Sequence, residues 1–209
     1  MDEIVVIGGG GHAKVLIGVL KKSGYHILGY TDVRDRSAIL GSPFLGDDGI
    51  LTGIIREHPR CRAAIGIGKV DASHGRIDLL NEISALGFIF PVIVSPHAVV
   101  NEDVLLEDGT VVFDGVVVNP GTVTGKACIL NTGSTIDHDC RLGDNVHIAP
   151  GAVISGGVTV GNNSLVGTGA RVRQSVSICQ GCLIGAGATV VKDISIPGTY
   201  VGTPARKIR

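Results

Sequence analysis

The sequence predicts a two-part chain, an α/β unit of alternating strands and helices followed by an all-β solenoid, and two periodicities carry that prediction. From Val94 to Val190, seventeen positions spaced by six are all Val, Leu or Ile except Thr124. The residues four places further on, from Ala98 to Ile194, are small or apolar in the same rhythm. Residues 1 to about 90 lose this period and show short apolar runs alternating with helical patterns instead.

Taken in order, Glu3–Ile7 reads as a buried strand and Gly11–Lys22 as a helix with Val15, Leu16, Val19 and Leu20 on one face. His26–Tyr30 is a second strand, Gly49–Glu57 a helix, Arg62–Ile67 a third strand and Ser73–Leu86 a further helix. Strands that alternate with helices build a parallel sheet of Rossmann type. Pro91 and the Ser95-Pro96 pair mark the passage out of it, which sets the expected domains at 1–92 and 93–209.

The turn after the first strand is Ile7-Gly8-Gly9-Gly10-Gly11-His12-Ala13-Lys14. Gly8, Gly10 and Ala13 satisfy G-x-G-x-x-A between a strand and a helix, the context that the dinucleotide fingerprint needs. Glycines let the backbone approach a phosphate, and the helix N-terminus offers free N–H groups. Gly8, Gly10, Gly11, His12 and Lys14 are therefore candidate substrate-binding residues, with Asp32 at the end of the second strand placed to accept from a ribose hydroxyl. A dinucleotide needs two mononucleotide-binding halves, and about ninety residues hold only one. One half suffices for a nucleoside diphosphate group.

In the solenoid, a fifth position and the following first position lie two residues apart, so on a strand both face inward and the residue between them faces out. Positions two to four carry turn formers, as in Asn119-Pro120-Gly121 and Gly143-Asp144-Asn145. Each six-residue unit is one short strand and one corner. Cys128, Cys140 and Cys182 occupy inward positions, which leaves Cys179-Gln-Gly-Cys182 without a second pair for a metal, and no metal is expected.

A net charge of −1 and a pI of about 6.6 give no general attraction to nucleic acid or an anionic membrane. The start, Met-Asp-Glu-Ile-Val-Val-Ile-Gly, lacks the basic flank and long apolar core of a signal peptide, and no apolar stretch is long enough to insert in a bilayer. A cytoplasmic protein is expected.

The glycine turn Ile-Gly-Gly-Gly-Gly-His-Ala-Lys-Val, joined to hexapeptide repeats that include Ile136-Asp-His-Asp-Cys-Arg-Leu-Gly143, resembles the bacterial hexapeptide-repeat sugar acetyltransferases from end to end. That family includes N-acetyltransferases of nucleotide-linked 4-amino-sugars, such as the bacillosamine and perosamine enzymes, and sialic acid O-acetyltransferase-like proteins. The resemblance implies a left-handed parallel β-helix whose triangular coil takes three units, acetyl-CoA as co-substrate, a nucleotide-sugar acceptor and a homotrimer with its sites between neighbouring β-helices. Val201-Gly202-Thr203-Pro204-Ala205-Arg206 is similar to the closing segment of such enzymes.

Moving an acetyl group from a thioester to an amine requires the acceptor to lose a proton, a task suited to a side chain with a pKa near ~6.5. His138 stands at a corner, where the coil does not need it, with Asp139 beside it. The expected roles are base for His138 and orienter for Asp139, as the resemblance also implies. Gly156, eighteen residues on, is expected at the same corner one coil away, about 4.8 Å distant, with its N–H open to a thioester oxygen.

His147 faces outward in the column Val111, Ile129, His147, Leu165 and Leu183. Such an apolar stripe is expected to pack against another subunit, which puts His147 at the subunit boundary, where the resemblance implies contact with sugar or acetyl-CoA. N-acetylation of a nucleotide-diphosphate-linked amino-sugar is the favoured reaction. Sugar O-acetylation of the sialic acid type is its enzymatic alternative, and a nucleotide-sensing scaffold trimer the non-catalytic one.

Overall fold

The computed structural model describes residues 2–209. Its N-terminal part has four parallel strands, β1 (Glu3–Ile7), β2 (His26–Thr31), β3 (Phe44–Gly46) and β4 (Arg62–Ile65), in the order β3-β2-β1-β4. Helix α1 (Gly11–Lys22) connects β1 to β2, α2 (Leu51–Glu57) connects β3 to β4 after a 3₁₀ turn at Asp48–Ile50, and α3 (Gly75–Ala85) follows β4. The sequence reading missed β3, whose three residues between Pro43 and Asp47 show no alternation. Every residue of β1 from Ile4 to Ile7 is fully buried because both faces are covered. Ile4 and Val6 meet α1 through Leu16 and Ile17, whereas Val5 and Ile7 meet Leu51, Leu80 and Ile83 of α2 and α3.

The second part is a prism of three stacked parallel sheets. The first runs through Ile93–Val94, Val111–Val112, Ile129–Leu130, His147–Ile148, Leu165–Val166 and Cys182–Ile184. The second includes Val117–Val118, Thr135–Ile136, Val153–Ile154 and Arg171–Val172, and the third Val123–Thr124, Arg141–Leu142, Thr159–Val160 and Ser177–Ile178. Pairing steps by eighteen residues, Val111 to Ile129 to His147, as three units per coil require. Inward first and fifth positions, among them Cys128, Cys140 and Cys182, fill one apolar core. At the fourth position of every unit from Asp103 to Gly187 the backbone has a positive φ of 54 to 76°, which is why glycine recurs there.

The outward apolar column corrects one expectation. Val111 is 2% exposed, Ile129 0%, Leu165 7% and His147 8% within a single chain. Val111 and Ile129, with Ile93 and Phe113, share an apolar cluster with Ile4, Leu16 and Ile17. The part of the first sheet at Val111, Ile129 and His147 is thus covered by the chain's own N-terminal part and is an intramolecular seam instead of a subunit contact, whereas Leu183 at the far end of the column is half-buried. Lys22 and Asp114 close its edge at 2.6 Å.

Candidate active site

The corner that joins Thr135–Ile136 of the second sheet to Arg141–Leu142 of the third carries Asp137, His138 and Asp139. Asn119, eighteen residues earlier, donates to Asp137 Oδ1 at 2.8 Å, and the same oxygen accepts the His138 N–H at 2.8 Å. Those two bonds fix the corner backbone. Asp139 occupies the left-handed fourth position, φ 58°, and its Oδ2 lies 2.8 Å from His138 Nδ1. A carboxylate only accepts, so Nδ1 carries a proton, and in the neutral ring the lone pair is on Nε2.

Glycines flank this pair. A Cβ on Gly156 would stand 2.5 Å from His138 Nε2, and a Cβ on Gly121 would stand 2.5 Å from Asp139 Oδ1. The imidazole remains 61% exposed. Its hydrogen bond to Asp139, then the charge of Asp137, raise its pKa above the ordinary value. A cavity of about 570 Å³ opens here, lined by His138, Asp139, Ser155 and Gly156 and by Gln174 and Ser175, which the sequence reading did not single out. Stepping eighteen residues from Gly156 and Gly157 would have found those two. Among the described residues no hydrogen bond joins the His138 ring to Ser155, Ser175 or Cys140. The Cys140 thiol donates to Ser155 O and is pushed up by burial.

The glycine turn forms a second cavity, about 490 Å³, lined by Gly8, Gly9, Gly10, Gly11, His12 and Asp32, with Arg36 and Asp48 on one side and Gly66, Ile67, Gly68 and Val70 on the other. Gly8 needs its φ of 99° and its lack of side chain, because a Cβ would meet Ile67 Cγ1 at 2.6 Å. Gly10 and Gly11 have open space where a Cβ would point.

Asp32 differs from expectation in its partners. Its Oδ2 accepts from Gly9 N at 2.9 Å and Arg36 Nε at 3.0 Å, and its Oδ1 from Arg34 N at 3.1 Å, so it pins the turn as well as lining the cavity. Although burial works against this, the three donors together hold its carboxyl below the usual range. Lys14 is exposed on α1 and does not line the cavity.

His12 turns edge-on to Phe113 at 5.3 Å, with Nε2 buried and unpartnered among the described residues. Burial, then the charge of Arg76, lower its pKa to about 3, so it is neutral. The segment Gly66-Ile67-Gly68 was missed by sequence, although loops at the carboxyl ends of parallel strands are where ligands bind.

His147 is the second correction. It sits in the seam between the two parts of one chain, with Nδ1 donating to Lys69 O at 2.8 Å and Nε2 3.1 Å from Asn131 Nδ2. Burial lowers its pKa to about 4. The two cavities share no lining residue. The N-terminal part covers the first sheet at Val111, Ile129 and His147, and the His138 corner lies between the other two, on the opposite edge of the prism.

Among the described residues no group of three or more His, Cys, Asp or Glu stands together to hold a metal, and no helix is long and apolar enough to cross a membrane.

Residues 3–72 match the PglD N-terminal domain family, and residues 121–156 match the bacterial transferase hexapeptide (six repeats) family. The acetyltransferase domain of PglB from Neisseria gonorrhoeae FA1090 is 34% identical over the whole of both chains with a TM-score of 0.93, and that domain has also been solved with acetyl coenzyme A. A histidine-to-asparagine variant of perosamine N-acetyltransferase from Caulobacter crescentus, in complex with CoA and GDP-perosamine, is 37% identical at a TM-score of 0.94. The match covers 100% of this chain and 98% of that one. WeeI from Acinetobacter baumannii AYE, 24% identical at 0.81, shares the fold. No curated protein sequence matches the chain significantly.

Proposed function

Because the chain belongs to the bacterial hexapeptide-repeat sugar acetyltransferases, we propose that it transfers the acetyl group of acetyl-CoA to an amino group of a nucleotide-diphosphate-linked amino-sugar, with His138 as general base. The observation that carries this reading is the 2.8 Å bond from His138 Nδ1 to Asp139, which in the neutral ring puts the lone pair on Nε2 beside an open cavity.

In the reaction the amine nitrogen attacks the thioester carbonyl carbon. A C–N bond forms, the C–S bond breaks, the amine proton passes to His138 Nε2, and CoA leaves as a thiolate that takes up a proton. Asp139 supports the imidazolium as it forms. Transfer is direct, since among the described residues no serine or cysteine is hydrogen-bonded to the His138 ring as a nucleophile. The Gly156 N–H serves the developing oxyanion.

The nucleotide diphosphate lies beside Gly8 and meets the backbone N–H groups of Gly10 and Gly11 at the N-terminus of α1, the Gly8 N–H being bonded to Thr31 O. His12 and Asp32 complete that pocket, and the exposed Lys14 acts at its approach. Since the His138 corner is on the edge of the prism opposite the N-terminal part, a nucleotide-sugar held at the glycine turn reaches the His138 of another chain. A homotrimer with sites between neighbours satisfies that geometry. His147, with both ring nitrogens engaged inside the seam, contributes by tethering the segment at Lys69 to the prism.

Incubation with acetyl-CoA and a series of UDP-, GDP-, CMP- and dTDP-linked amino-sugars, following release of the CoA thiol, tests the reading. Turnover with one of them is expected. Release that requires a hydroxyl acceptor such as sialic acid, or none with any acceptor, would overturn it.

A further inference from the structure

Arg76, the second residue of α3, is only 5% exposed and no carboxylate pairs with it among the described residues. Its Nη1 donates to the carbonyls of Ile65, at 3.4 Å, and Ile67, while Nε and Nη2 are buried without a partner. An uncompensated guanidinium in the interior is costly. Costs of that kind persist where function requires them.

The carbonyls it holds belong to the end of β4 and to the wall of the glycine-turn cavity. That wall is in contact with the turn itself, as a Cβ on Gly66 would stand 2.6 Å from Gly8 O. Further along the same segment, Lys69 O accepts from His147, and Ser73 O accepts from Asn145 Nδ2 at 3.0 Å and from Lys69 Nζ. Residues 66–74 are thus a strap fastened to α3 at one end and to the first sheet of the prism at the other. The charge of Arg76 is also close enough to act on His12, which lines the cavity.

We propose that Arg76 is a positioning residue of the nucleotide pocket, which fixes the wall 66–68 against the glycine turn and supplies, behind that wall, a positive charge that a bound diphosphate balances. This rests on the pocket being the nucleotide-diphosphate site.

The test is calorimetry on the full chain with GDP, UDP, dTDP and acetyl-CoA as probes, alongside melting temperature. For Arg76→Met, the affinity for whichever nucleoside diphosphate the wild type binds is expected to fall about tenfold or more, as loss of a charged hydrogen bond implies. Acetyl-CoA affinity and melting temperature should stay close to wild type. Arg76→Lys, which keeps the charge and one donor, should show a smaller selective loss, and it is the variant to read if the Met chain does not fold.

Unchanged nucleotide affinity in a folded variant would overturn the proposal, as would a parallel loss of both ligands with a lowered melting temperature, the mark of a purely structural residue. A wild type that binds none of the three diphosphates would overturn the nucleotide-diphosphate reading itself, a result separate from these.

Discussion

His138 and Gly156 are stacked across one coil, so that a Cβ on the glycine would stand 2.5 Å from the imidazole Nε2 and 2.7 Å from Cε1. The imidazole rests on a residue whose only surface is backbone. Gly156→Ala therefore displaces the imidazole from its place beside Asp139. Its φ is not in the left-handed region, so alanine fits the backbone and the exposed ring moves at little cost to stability. A shift of about an ångström can cost on the order of 10²-fold in rate. We expect kcat to fall by that order with the melting temperature nearly unchanged; full activity in the alanine variant would show that the stacking has no catalytic role.

The Asp139 bond predicts a shift in the pH profile. As the proposed base, His138 would work only when neutral, and because its pKa is raised, the acid limb of kcat/KM should lie above the ordinary histidine value of ~6.5. Asp139→Asn removes the largest cause of that rise, and asparagine tolerates the left-handed backbone at this position. The limb should move to lower pH while the plateau falls. The acceptor amine titrates identically with both enzymes, so the difference between them reports on His138. Coincident limbs would contradict the assignment.

Acid should loosen the seam. His147 and His12 are buried neutral, with pKa values lowered to about 4 and about 3. In the unfolded chain both titrate near ~6.5. Between those values the unfolded state binds more protons, so stability is lost as pH falls from about 6.5 toward 4, at up to about 1.4 kcal/mol per pH unit for each histidine. Melting temperatures at a series of pH values should show a shallower acid slope in His147→Gln than in wild type. Equal slopes would mean that His147 titrates normally in the folded protein.

Gly10→Val places a side chain in the glycine-turn cavity without a clash, since nothing lies within 4 Å of its Cβ and its φ is −81°. The variant should fold and bind acetyl-CoA normally while nucleotide-sugar binding is lost. Unaltered nucleotide-sugar affinity by calorimetry would remove the turn from the site.

The repeat was legible because a coil of three units imposes its period on every inward residue, from Val112 and Cys128 to Ala188. His138 and Asp139 were legible for the opposite reason, as polar residues at a corner that the core does not require. The seam was not. An apolar column such as Val111 and Ile129 announces that something covers it but not what, and only the packing of Ile4, Leu16 and Ile17 against it decides the matter. Phe113, a large aromatic at a corner in a chain with few aromatics, was the one local sign of that contact. Arg76 gave no sign at all, because an arginine in the first turn of a helix ordinarily faces water.

The central claim is that His138 takes the proton from the acceptor amine. A positioned general base contributes typically ~10²- to 10⁴-fold, and the ring is exposed, so its removal leaves the packed core untouched. The decisive measurement is kcat of His138→Ala with an amino-sugar nucleotide acceptor and saturating acetyl-CoA, made on a variant shown to be folded and assembled like the wild type. A loss of that size is expected, with KM for both substrates nearly unchanged. Near-normal turnover would contradict it, and would leave the reaction to simple proximity between a free amine and the thioester.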